Sequence, residues 1–344
     1  MAKLNTIGKI IAVILLLSCT HKTDNALMLQ AISDTIPGTP AYIWKQDLPF
    51  GSGSFPEEYK PGTFPLGLSP VQGIDGKLWM LWHKYAWSSV DGLTWTGNSK
   101  TDWGERISTS IVYFQNKLWM TGGMRYKERK FMNDIWSSSD GKTWVNAGNA
   151  GWSPRKGHTV TVFKEKLWLF GGADGIASDI TPNKFLDDIW SSTDGLHWNL
   201  VTNAAPWPAV DNPNVVVKND TMFLLGGNGY AGVWKSGDGI NWEQLKNEAE
   251  WKPRFFYGAL VYDQKMWVFG GNDTSSNHNL AAQNDVWFSE NGKDWQMQVK
   301  HAPWTVRSGA TSIVFKDKLW IYSGKHTGGK YNWGGDIWTM RKIN

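Results

Sequence analysis

An all-β fold, a six-bladed β-propeller of four-stranded blades closed by an N-terminal strand, is what three features of this 344-residue chain predict. The phrase "NDIWSSSDGKTW" (133–144) returns as "DDIWSSTDGLHW" (187–198) and as "NDVWFSENGKDW" (284–295). Most of the 24 tryptophans fall into register with one another. Between turn signals, short runs of β-branched and aromatic residues alternate with other residues, the period-two pattern of strands.

The tryptophans define the unit. Trp79, Trp119, Trp168, Trp267 and Trp320 stand in "KLW" or "KMW" contexts, with Phe223 in the same place in a sixth copy. Trp87, Trp136, Trp190, Trp234, Trp287 and Trp338 follow as an "IW" or "VW" class, with "AW" at Trp87. Five of these have another Trp eight residues later, at Trp95, Trp144, Trp198, Trp242 and Trp295. Trp103, Trp152, Trp207, Trp251 and Trp304 each precede a member of the first class by sixteen residues. Six copies of one unit explain the pattern, and internal repeats of this length mark an array of supersecondary units.

Each unit reads as four short strands. In the third, "HTVTVF" runs to a turn at Lys164-Glu165, followed by "KLWLFGG", "DIWSS" and, after Asp194-Gly195, "HWNLV". The sixth unit stops soon after Trp338, one strand short. The segment "AYIWKQD" (41–47) has no blade of its own and carries a Trp in the right context, so it is expected to supply the missing strand. The repeated phrases are then the third strand, a turn and the fourth strand of successive blades. Their Ser and Asp are expected to satisfy backbone donors in the turn, and the Trp to fill the space between blades.

Residues 1–18, with two lysines and an apolar run from Ile10 to Leu17, have the length of a secretory leader and fall short of the ~20 residues of a membrane span. "LLSC" (16–19) resembles the lipobox of bacterial lipoproteins. That resemblance implies lipidation of Cys19 and anchoring at the bacterial cell envelope, with Thr20 after the cysteine favouring the outer membrane. An ordinary signal peptide is the alternative. Residues 19–39 are mostly polar and suit a tether, leaving 40–344 for the propeller. Cys19 is the only cysteine, so an intramolecular disulfide is impossible. Without the leader, 33 bases face 31 acids, a balance that does not suggest nucleic acid as a partner.

The Gly-Gly after strand two and the Trp of strand four resemble kelch repeats, as in the central domain of galactose oxidase. The S-x-D-G-x-x-W turns resemble a shortened Asp-box of sialidases. The copper-radical chemistry of galactose oxidase needs a Tyr cross-linked to Cys, and the single Cys19 lies in the leader. Seven histidines lack metal-ligand spacing, and neither a nucleophile elbow nor a phosphate loop occurs, so no cofactor is expected.

Spacing separates scaffold from site. The interval from the strand-two aromatic to the third-strand Trp is 8, 17, 22, 11, 20 and 18 residues, whereas the strand-one Trp precedes the strand-two aromatic by sixteen in units two to six and the third-strand Trp precedes the fourth-strand Trp by eight. Variation is thus confined to one loop, on the face shared with the connections between blades, where a rigid scaffold carries binding groups. Four connections place an arginine three residues after their Trp: Arg106, Arg155, Arg254 and Arg307, with Leu66 and Val210 at the same place in blades one and four. In kelch proteins arginines here often line a pocket for acidic groups. A guanidinium fork suits a carboxylate or phosphate. The alternative is that each pairs with carbonyls or with acids such as Glu105 and Asp211. Trp82 and Trp333 lie outside every repeat class, on the same face of adjacent blades, and either stack on a ligand ring or pack a loop.

These readings lead to a ligand-binding set of Arg106, Arg155, Arg254, Arg307, Trp82 and Trp333, and to an acidic glycan or anionic peptide as partner. An epimerase or lyase acting on an acidic sugar is the alternative, because a kelch-type sialic-acid epimerase is the nearer enzymatic resemblance. Its acid–base candidates would be His158, Tyr257, Glu105 and Asp211. A third possibility is a protein-interaction scaffold using the loops at 173–187 and 272–284.

Overall fold

The computed structural model describes residues 41–49, 70–82, 84–125, 127–175, 184–273, 281–322, 324–326 and 336–343. Cys19 and the expected leader and tether lie outside the described residues, as does Trp333.

Six four-stranded antiparallel sheets form the blades. The third comprises Thr159–Phe163, Lys166–Phe170, Ile189–Ser192 and Asn199–Thr202, paired in sequence order, and the others repeat this meander. First strands of neighbouring blades lie side by side around a central channel. Strands one and two are joined in blades two to six by two-residue turns in which both residues have positive φ, for example Lys164 (47°) and Glu165 (56°). Such turns match the right-handed twist of the strands they connect.

The last blade is completed as expected. Tyr42–Leu48 pairs antiparallel with Ile337–Lys342, giving the sheet its fourth strand. The register is that of the other five blades. In each of those, the third-strand Trp pairs with the residue two after the fourth-strand Trp, as Trp136 does with Asn146, and a bulge follows. In blade six Trp338 pairs with Gln46, two residues after Trp44, and the bulge falls at Asp47. Trp44 is therefore a sixth fourth-strand tryptophan.

The tryptophans before each first strand are the core between blades. Trp103, Trp152, Trp251 and Trp304 are each 1% exposed. Each takes the edge of its own blade's fourth-strand Trp, with centroid separations of 4.8 Å for Trp103–Trp144, 4.2 Å for Trp251–Trp295 and 5.7 Å for Trp44–Trp304. Edge-to-face pairs of this kind contribute about 0.5–1.5 kcal/mol beyond their burial. On the opposite face, the Ser and Asp of the repeated turns serve the backbone. Ser138 Oγ accepts from Gly141 N at 2.8 Å, and Asp140 Oδ1 accepts from Lys142 N and Thr143 N at 2.8 and 2.7 Å. In the fourth blade the Asn241 N–H, its side-chain amide and the Ile240 N–H hold the Asp238 carboxyl well below the usual range.

Candidate functional site

The four arginines begin the inner part of their blades, but their forks turn inward. Arg254 is representative. Its Nε donates to Trp251 O at 3.0 Å, Nη1 to Gly270 O at 2.9 Å and Asp285 Oδ1 at 2.7 Å, and Nη2 to Asp285 Oδ2 at 3.0 Å and again to Trp251 O. All five donors of the guanidinium are thereby used. Arg106 does the same with Trp103 O, Gly122 O and Asp134, and Arg155 with Ser153, Gly171 O and Asp188. Arg307 grips Asp336 through both terminal nitrogens. The four side chains are 1–5% exposed. The expectation that these forks line a ligand site is corrected on this geometry. Arg106, Arg155 and Arg254 each bolt the start of the first strand to the Gly-Gly carbonyl of strand two and to the entrance of strand three, with no N–H left to offer an anion, and Arg307 makes the same grip on strand three through Asp336.

The acids that complete the bolts are Asp134, Asp188, Asp285 and Asp336, each two residues before a third-strand Trp, whose indole N–H they also accept at 2.7–2.8 Å. Sequence reasoning named Glu105 and Asp211 as partners and missed these four. The signal was present in "NDIW", "DDIW", "NDVW" and "GDIW". Blades one and four, which have Leu66 and Val210 in place of Arg, have Tyr85 and Gly232 in place of Asp. Acid and base are present or absent together. In blade four, Trp234 donates instead to Tyr230 Oη at 2.8 Å.

Two residues beyond each arginine position the chain turns left-handed, at Ser108 (54°), Gly157 (62°), Asn212 (51°), Phe256 (51°) and Gly309 (65°). Backbone hydrogen bonds link these residues from blade to blade: Gly157 N to Ser108 O at 3.0 Å, Asn212 N to Gly157 O at 2.7 Å and Gly309 N to Phe256 O at 2.8 Å. They form a collar at one end of the channel. Beneath it is a cavity of about 260 Å³ lined by the first strands of blades two to six. Its wall is rich in hydroxyl and amide groups, among them Ser108, Thr109, Asn212, Asn214, Thr311 and Ser312. A wider cleft of about 750 Å³ lies on the opposite face, across the exposed turns Gln115-Asn116 and Lys164-Glu165. The collar cavity is the better candidate because residues from five blades converge on it.

The acid–base candidates are not one cluster. Glu105 pairs with Lys127 at 2.9 Å on the surface. Tyr257 Oη donates to Leu225 O, and burial pushes its phenol far above the usual range. His158, 4% exposed, has Nε2 2.9 Å from Thr121 Oγ1 and no hydrogen bond at Nδ1. Burial, aided by the charge of Arg155, lowers it to about 3, so the ring is neutral at physiological pH. Asp211, 6% exposed, accepts from Asn228 Nδ2 at 3.0 Å through Oδ2, while Oδ1 makes no hydrogen bond of good geometry. Burial raises it to about 6, against the opposing pull of Lys156, Asn212 and Asn228. Its carboxylate packs on Gly157, where a Cβ would come within 2.0 Å of Oδ1. Trp82 ends the second strand of blade one opposite Tyr85, and its side chain lies outside the described residues. Among the described residues, no group of three or more His, Cys, Asp or Glu is placed to hold a metal ion.

Fold and collar together define a kelch-like six-bladed β-propeller. The chain is similar to the solved structure of YjhT, with a TM-score of 0.66 and 17% identity over 80% of this chain and 95% of that one. At that identity the likeness speaks for the fold. No protein-family model matches the sequence, and no curated protein does.

Proposed function

We propose that this chain is an envelope-anchored binding propeller that takes a saccharide at the collar end of its channel. One observation carries the reading: a concave cavity of about 260 Å³, lined by residues of five blades and rich in hydroxyl and amide groups, on the face where loop length varies. Hydroxyls and amides both donate and accept, which is what the alternating donors and acceptors of a polyol require. The volume is just below the ~300 Å³ at which pockets for drug-sized ligands begin, and suits one sugar unit better than a peptide. An acidic sugar belongs to the class through its hydroxyls, but the arginines expected to meet its carboxylate are engaged elsewhere.

Thermal shift with N-acetylneuraminate, glucuronate, N-acetylglucosamine and galactose tests this, since a ligand that binds the native state raises its apparent stability. Asn212→Gly keeps the left-handed backbone while removing the amide, and with Ser312→Ala should reduce the shift. A panel without any response, or a response untouched by both changes, would sink the reading. Anchoring rests on Cys19: Cys19→Ser should move the protein to the soluble fraction, and continued membrane retention would exclude a lipid anchor.

Proton transfer stands second. Asp211 and His158, displaced in opposite senses on consecutive blades, are the kind of pair an epimerase would use. Both are more than nine-tenths buried, which ranks this reading below binding. Deuterium exchange into a bound sugar at a carbon-bound proton, followed by NMR in heavy water, would promote it.

A further inference from the structure

We propose that Phe256 is a stacking platform for the ring of the bound sugar, a role that rests on the collar cavity being a saccharide site. The argument begins with the backbone. All five described collar residues have positive φ, and four of them are Ser, Gly, Asn and Gly. Glycine adopts this conformation freely and Asn readily, whereas for a bulky side chain it is a genuine outlier that persists where the surroundings or a function demand it. The collar does not demand it: the hydrogen bond that links this residue to the next blade runs from Gly309 N to the Phe256 carbonyl and would be made by any residue.

The core does not demand it either. Phe256 is half-buried and takes no part in the hydrophobic clusters on either side of blade five. Phe256 lines the collar cavity, and its ring lies beside that of Phe255, with centroids 6.4 Å apart at 42°. The adjoining blade contributes Gly309 and Ala310, both small, to the same cavity. An aromatic face next to a wall of hydroxyls and amides offers the two complements of a pyranose: a flat apolar surface for its C–H face and polar partners for its rim. An open-chain polyol has the second feature without the first.

Isothermal titration of the parent, Phe256→Gly, Phe256→Asn and Phe256→Trp tests this with the same four sugars and with sorbitol as the acyclic control. The parent should prefer its best pyranose over sorbitol. Gly and Asn, both at ease with positive φ, should weaken the pyranose about five- to tenfold and leave sorbitol unchanged, while Trp should retain the preference. Melting temperatures of the Gly and Asn variants should equal or exceed the parent's. If both variants bind the pyranose as the parent does, the platform is refuted although the channel reading stands. If no sugar binds the parent, the channel reading falls and the platform with it. A clear drop in melting temperature in both variants would show that the ring is a packing element, and would overturn the proposal as well.

Discussion

Blade four shows what a blade without its ionic bolt looks like, and blade five can be converted to it. Arg254→Val and Asp285→Gly, made singly and together, reproduce Val210 and Gly232. In the parent, the Arg254 and Asp285 side chains are 5% and 14% exposed, joined by contacts of 2.7 and 3.0 Å. Removing the arginine strands a nearly buried carboxylate and takes two charged hydrogen bonds from it. It also deprives the Gly270 and Trp251 carbonyls of the guanidinium. Breaking a buried pair from one side costs about 3–5 kcal/mol, or roughly 6–15 °C at about 2–3 °C per kcal/mol for a domain of this size. In the double variant no carboxylate is left stranded, so its cost should fall short of the sum of the single costs by about 2 kcal/mol or more. Urea unfolding followed by far-ultraviolet circular dichroism measures all three. Costs that add to within about 0.5 kcal/mol would mean the two groups do not act as one bolt. A single Arg254→Val variant that melts like the parent yet loses its sugar would return the arginine to the ligand site.

Two further outcomes follow from the same structure. Deleting residues 41–48 removes Tyr42 and Trp44, 1% and 3% exposed, and bares an edge of blade six, so the melting temperature should fall sharply; an unchanged value would contradict the closure. Asp211, raised to about 6 from an unfolded value near 3.9, carries a proton in the folded chain that the unfolded chain has already lost between those pH values. Its contribution to stability is thus present in full below about pH 4 and is lost as pH rises through 6, by up to about 3 kcal/mol. Asp211→Asn should flatten this slope, and the same slope in both proteins would place the titration elsewhere.

The fold was legible because tryptophan repeats in register and because period-two patterning ends in recognisable turns. The register of the closing strand could be anticipated from Trp44, since the fourth-strand Trp occupies one geometric place in every blade. The site was less legible for a physical reason. A guanidinium fork suits a ligand carboxylate and a protein carboxylate equally well, so Arg106 or Arg254 alone does not say which it meets. The joint loss of Arg and Asp in blades one and four would have decided it, but Asp134 and its counterparts stand next to tryptophans and were read as part of that repeat. Phe256 was invisible for another reason: its importance lies in a backbone angle, and "RFFYG" does not reveal which residue turns left-handed.

The closing strand also gives the molecule a direction. Tyr42 reaches the turn face, where its hydroxyl donates to Asp263 at 2.7 Å, while Leu48 at the other end of the strand pairs with Ile337 beside the collar-side Asp336. The chain thus enters the propeller on the face opposite the collar. Whatever precedes residue 41 therefore joins the propeller on the side away from the channel mouth. Sidedness of this kind comes from which end of one strand the upstream chain joins.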